Sequence, residues 1–458
     1  MTFQTAARPG FAARSAVLAL ALVATACSSA TDSLLEAEDP DLIPPGATRT
    51  AEGALALANG ALGSFRDITA GNESTWLFGG LLADEWSTSS TFPQNDETDQ
   101  RRVQLNNSQV TAMLYRLYRG RIRAAEAVTA LNEFSPASRS VIADMYFAKG
   151  FAEMQLALDF CNGIPISELV DGEPVAGDPE TVDQVFQRAV ASFDSAVAFA
   201  NGTDAASVRV RNAAMIAKGR ALLGRNQIAQ AGAVVAGIPT SYAYQHTFTL
   251  TTGTNTIWGQ GFSAARYAIG DSLEGNARNI FVKNALPFVT ANDSRLPVTI
   301  LTGNGQDGLT RVRRTTLYGQ LTTVDVVNGI DARMVEAEAA LAAGNAAQFL
   351  SIHNALRAAP PKLGEVQPVA MAPLVDPGTP EGRLSMHFRE KAFWTFSRGQ
   401  RLGDMRRLVR QYGRAVTDVF PEGIHYKGGI YGPDVNLPIV TDEEGNNPKF
   451  SGCLDRDA

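Results

Sequence analysis

Histidine and cysteine are scarce in this chain, whose 458 residues include 4 His and 3 Cys. The histidines, His246, His353, His387 and His425, never fall at the i, i+4 spacing with which a helix presents two imidazoles to one metal ion, so no metal site is expected. Strings that announce catalysis are missing as well. There is no G-x-S-x-G, H-E-x-x-H or phosphate-cradling glycine loop, and the chain reads as a non-enzyme without a cofactor. Charged residues make up only 19% of the total, with 47 acids against 40 bases. That balance argues against nucleic acid as a partner, because phosphate binding draws its affinity from clustered Lys and Arg. Past residue 26 no stretch reaches the roughly 18 unbroken apolar residues of a membrane helix.

What is there begins with an export signal. Arg8 and Arg14 precede an uncharged Ala/Leu/Val-rich stretch, Ser15 to Ala26, too short to span a bilayer. Residues 1–26 are expected to be a signal peptide. Ala24, Thr25 and Ala26 lead into Cys27, an arrangement that resembles the lipobox of bacterial lipoproteins, with Ala24 where Leu, Val or Ile is usual. Lipid on Cys27 would anchor the chain, since each buried CH₂ contributes about 0.8 kcal/mol. Loss of Arg8 and Arg14 leaves 38 bases and 47 acids, a formal charge of −9. Cys161 and Cys453 are then the remaining cysteines, and in an oxidising compartment they are expected to pair.

Residues 27–50, with Pro40, Pro44 and Pro45, read as a spacer. From 51 to 458 a single mainly α domain is expected. Helical periodicity marks about 51–66, 110–160, 181–236, 331–358 and 381–413, with Thr50 and Thr181 as caps and a Glu-Phe-Ser-Pro turn between Val110–Asn132 and Pro136–Phe160. Helical hairpins with small residues at their crossings predict a tetratricopeptide-like array, in which each pair buries its apolar face on a neighbour. Loop-rich insertions with minor β structure are expected at about 69–107, 240–323 and 360–380, where runs such as "HTFTLTTG" and "NTIWGQGF" alternate.

Several blocks carry a specific resemblance. "YRLYRGRIRAAEAVTALNE", "ADMYFAKGFAEMQLALDFCNGIPIS", "IDARMVEAEAALAAGNAAQFLSIHNALRA", "REKAFWTFSRGQRLGDMRRL" and "LPIVTDEEGNNP" occur in an order similar to that of SusD/RagB-family outer-membrane nutrient-binding lipoproteins. Arg333, Glu336, Ala337, Glu338, Asn354 and Arg357 match the family's repeat, whereas Arg398 replaces its common Glu before Gly399, so an ion pair there is expected to be rearranged. The resemblance implies a lipid-anchored protein at the outer membrane, facing the cell exterior. It would capture an oligosaccharide or peptide and deliver it to a TonB-dependent receptor barrel. A helical-repeat scaffold lipoprotein joining other proteins is the alternative reading.

Sugar rings offer an apolar C–H face to Trp or Tyr, while polar side chains answer the hydroxyls. Candidate ligand-binding residues are therefore the loop residues Asp84, Trp86, Phe92, Asn95, Tyr242, Tyr244, Trp258 and Tyr267. Trp394, inside an amphipathic pattern, is expected in the core. Arg333, Glu336, Glu338, Arg401, Asp404, Arg406 and Arg407 fall on helix faces and are expected to form structural ion pairs.

Overall fold

The computed structural model describes residues 49–170, 172–275 and 278–458; Cys27, the expected signal peptide and most of the spacer lie outside the described residues. The first helix, α1 (Ala51–Ala70), starts where the Thr50 hydroxyl accepts from the Gly53 amide. Next come α2 (Thr75–Leu82), strand β1 (Trp86–Thr88) and α3 (Pro93–Asp99). The segment 69–107, expected to be loop-rich, is thus substantially ordered into short elements. All eight residues of α2, "TWLFGGLL", are buried. A helix covered on every side carries no amphipathic period, which is why its sequence gives no helical signal.

The long hairpin follows as expected: α4 (Ser108–Phe134), capped by Asn107, turns back into α5 (Arg139–Asp159). Short pairs β2 (Ile164–Pro165) with β5 (Pro179–Glu180), and β3 (Glu168–Val170) with β4 (Glu173–Val175), lead to α6 (Val182–Phe199). Thr181 and Gln184 close a capping box on α6. Then α7 (Ala205–Gly224) and α8 (Ile228–Val235) stack in turn. Crossings are close where side chains vanish: a Cβ on Gly120 would lie 2.3 Å from Ile68 Cδ1, and one on Gly150 would lie 2.8 Å from Phe193 Cε1.

A β-bearing layer follows with β6 (Ala243–His246), the short helix α9 (Thr256–Trp258), β7 (Tyr267–Ile269), β8 (Leu273–Glu274), β9 (Ile280–Phe281), β10 (Val298–Asn304), β11 (Arg311–Thr315) and β12 (Val324–Asn328). Each pairs antiparallel with one partner: β1 with β7, β6 with β12, β8 with β9 and β10 with β11. The chain closes with α10 (Gly329–Ala342), α11 (Ala346–Ala358), α12 (Pro380–Trp394), α13 (Arg401–Arg410) and α14 (Thr441–Asn446). The architecture is mainly α, with stacked helical hairpins and little strand.

The expected ion pairs tie these helices together. Arg407 grips Glu338 and lies 3.6 Å from Asp404, while Lys391 Nζ sits 2.7 Å from Asp404. Arg333 pairs with Glu336 at 2.7 Å. Arg401 and Arg406 bond to backbone instead, donating to Ala83 O at 3.2 Å and to Leu158 O at 2.7 Å. Arg398 is paired as well: both terminal nitrogens donate to buried Asp331, at 3.1 and 2.6 Å. His353 Nε2 and His387 Nδ1, distant in sequence, meet at 3.2 Å in the core, and burial pushes the His353 pKa down to about 2. No cluster of three or more metal-ligating side chains occurs among the described residues. Trp394 is buried, as is Trp76.

Cys161 and Cys453 are joined in a disulfide, with their Cα atoms 6.1 Å apart across 292 residues of chain. Glu85, fully enclosed, accepts from the Ser397 amide at 3.3 Å, and burial raises its pKa to about 8 despite Arg401 nearby.

Two outcomes follow for stability. Replacing Cys161 and Cys453 by Ser is expected to cost about 3–5 kcal/mol in denaturant melts, the loop-closure scale for so long a ring; an unchanged midpoint would contradict this. Because the folded pKa of Glu85 lies above its ordinary 4.5, its contribution is complete below that pH and is lost as pH climbs toward 8. Glu85→Gln should therefore flatten the fall of melting temperature between pH 5 and 8 by an amount worth on the order of a few kcal/mol. Parallel pH profiles for the two proteins would count against it.

Candidate functional site

Strand β1 hangs from α2 by a tight turn in which Asp84 adopts φ 58° and Glu85 N donates to Gly80 O at 2.9 Å. The turn sends Trp86 inward: it is 2% exposed, its Nε1 donates to Ser397 Oγ at 3.1 Å, and its ring packs on Phe396 at 5.2 Å and edge-on to Tyr267 at 6.2 Å. Trp86 is consequently a core anchor and not a surface ring. The same correction applies to four other candidates. Tyr267, paired through β7 with β1, is buried with its hydroxyl donating to Glu73, and Asn95 Nδ2 donates to that hydroxyl at 3.0 Å. Tyr244 is enclosed against Asp144 and Arg209. Asp84 is buried with neither carboxylate oxygen hydrogen-bonded, and burial beside Glu274 and Asp99 pushes its pKa well above the ordinary range. Tyr242 is half-buried, its hydroxyl committed to Arg209 O.

Two candidates remain at the surface, and each stands beside a cation. Asn255 caps a helical turn by accepting from the Ile257 and Trp258 amides, after which Gly259–Ser263 continue as a π-turn. The helical path places Trp258 next to Phe262, four residues on, with ring centroids 5.6 Å apart and planes inclined by 15°. Trp258 is half-buried and Phe262 is 44% exposed. Beneath them the Trp86 ring lies 3.4 Å from where a Gly261 Cβ would be, so the buried tryptophan forms the floor of a surface shelf. Thr315 and Tyr318 line the same shallow depression.

Strand alternation brings the cations. On β11, Arg313 turns inward to Glu274 Oε1 at 2.8 Å, so its neighbour Arg314 turns outward, and the Arg314 guanidinium lies 4.2 Å from the Phe262 centroid. Arg266, just before β7, stacks 4.1 Å from the centroid of half-buried Phe92. Nearby, Lys427 Nζ bridges Asp96 at 2.7 Å and Asp307 at 3.0 Å, pinning the Asn304–Gly308 turn. Phe262, Arg314 and Arg266 were not among the sequence candidates. The Trp-x-x-x-Phe spacing is the available signal, and it is obscured because "NTIWGQGF" also alternates as a strand does.

A larger cavity of about 540 Å³ lies elsewhere, lined by Asp183, Arg406, Arg410, Gln411 and Asp455 among other polar groups, and it contains no aromatic side chain. The shelf combines exposed rings with the unpaired Arg314 Nε, a composition suited to a flat ligand with apolar faces and polar edges.

No family model and no curated protein matches this sequence. Solved structures do. A SusD-like carbohydrate-binding protein from Bacteroides vulgatus ATCC 8482 superposes with a TM-score of 0.62 at 11% identity, covering 88% of this chain and 97% of that one. A SusD-superfamily protein from the same organism gives 0.59 at 14% identity, covering 88% and 98%. The surface glycan-binding protein A from Bacteroides uniformis gives 0.60 at 12% identity, covering 88% and 99%. Over nearly nine-tenths of its length this chain therefore shares the fold of these SusD-like structures.

Proposed function

We propose that the protein is a non-catalytic receptor, held at the outer membrane by lipid on Cys27, that binds an extracellular glycan oligomer on the Trp258–Phe262 shelf. From there it delivers the glycan to a TonB-dependent barrel against which its helical stack docks. The observation that carries this reading is the stacked pair itself: two near-parallel rings at the surface, one 44% exposed, supported from below by Trp86. A pyranose ring lays its C–H face on such a surface, and the flanking donors answer hydroxyls that would otherwise be left unpaired. The depression is shallow, so affinity accumulates along successive sugar units and favours an oligomer over a monosaccharide. Carbohydrate- and glycan-binding proteins among the similar structures support the same ligand class. Phe92, with Arg266 stacked on it, would extend the surface.

Glycan-array screening of the mature protein followed by titration calorimetry tests the proposal. Trp258→Ala and Phe262→Ala should each weaken the selected glycan by about tenfold while leaving the melting temperature within a few degrees, since neither ring is in the core. Binding that survives both substitutions would remove the shelf from the ligand site. Silence across glycans and peptides would favour the scaffold reading.

A further inference from the structure

We infer that the glycan taken by this shelf is anionic, carrying carboxylate or sulfate groups, and that Arg314 is the residue that selects for them, with Arg266 as a second contact. The inference rests on the proposed receptor function and narrows its ligand class.

Some enclosed guanidiniums in this protein are matched by a carboxylate, and others, Arg401 and Arg406 among them, by backbone carbonyls. Arg295 has Asp293 and Glu390, Arg313 has Glu274, Arg398 has Asp331 and Arg407 has Glu338. Such pairing is what makes a desolvated charge tolerable. Arg314 departs from that pattern. Its side chain makes no hydrogen bond and no ion pair with any described residue, its Nε is shut off from solvent without a partner, and its one contact of note is the Phe262 face. Burial draws its pKa down, and no neighbouring carboxylate acts to raise it. Among the described residues Arg266 likewise has no side-chain hydrogen bond or ion pair; the buried Glu73 that feels its charge is itself engaged by Tyr267. By contrast Lys427, the nearby ammonium, is already neutralised by Asp96 and Asp307.

Two guanidiniums without an ion pair among the described residues, each stacked on an aromatic ring, suit an anion. Stacking fixes the plane of a guanidinium and leaves its N–H edge to meet a carboxylate or sulfate with two parallel bonds. A neutral glycan would occupy the rings yet leave these charges unanswered.

The test is titration calorimetry of the full mature protein with three oligomers of matched length: a polyuronate, a sulfated galactan and a neutral glucan. One of the two charged oligomers should bind at least about tenfold more tightly than the glucan and should weaken steeply with added salt. Which of them binds separates carboxylate from sulfate. Arg314→Gln should remove about that tenfold advantage, so that the charged oligomer binds no more tightly than the glucan does, while Arg314→Lys, which keeps the charge without the planar fork, should restore part of it. Equal, salt-insensitive binding of the glucan, or an unchanged affinity of the charged oligomer for Arg314→Gln, overturns the inference. In that case sensitivity to Trp258→Ala shows that the receptor reading survives; binding of none of the three overturns both.

Discussion

Around the last core helix, guanidinium groups reach into nearly every neighbouring element. Arg398 holds Asp331 at the start of α10, Arg407 holds Glu338 two turns further along that helix, Arg401 meets the carbonyl of Ala83 just after α2, Arg406 those of Ala157 and Leu158 near the end of α5, and Arg407 also that of Leu223 near the end of α7. The last carbonyls of a helix lack intrahelical partners and carry partial negative charge, so a buried cation beside them satisfies both deficits at once. Stacked hairpins give a repeat array its shape, but each crossing is only a nearest-neighbour contact. This cluster of arginines joins non-adjacent hairpins, and removal of one member would leave a buried carboxylate or a helix end unanswered.

The same cluster sets the position of the shelf. Between α12 and α13 the chain passes through two left-handed residues, Ser397 with φ 55° and Gly399 with φ 62°, flanking Arg398. The ion pair to Asp331 holds that turn, and from it the Ser397 hydroxyl accepts from Trp86 while its amide donates to Glu85. Trp86 in turn floors the segment that carries Trp258 and Phe262. A substitution far from the surface, at Arg398 or Asp331, therefore acts on the ligand platform through one continuous line of contacts. In physical terms, the Arg398–Asp331 ion pair links the helical stack to the β-bearing layer.

Much of this fold was legible from residue order. The caps at Thr50 and Thr181 follow from residue type, the Glu338 and Arg407 positions from the family resemblance, and the long amphipathic helices from periodicity, which shows where a helix keeps a wet face. The helix "TWLFGGLL" was hidden because it has none. The site was harder to read for a related reason. Trp86, Tyr267, Tyr244 and Asn95 sit among the polar, turn-forming residues that mark surface loops, yet contacts from hundreds of residues away enclose them; the partner of Trp86, Ser397, is 311 positions distant. Arg313 and Arg314 are indistinguishable as letters, and only the pairing of β11 decides which one is buried against Glu274 and which lies over Phe262.

Hydrogen exchange of the mature protein, with and without a saturating glycan oligomer, measures most directly where the ligand meets this framework. The account predicts new protection confined to Asn255–Tyr267 and Arg311–Tyr318, with α10 and α11 unchanged because their amides are already held in the stack. Protection concentrated in the helical hairpins, or around the polar cavity at Arg406 and Arg410, would contradict it.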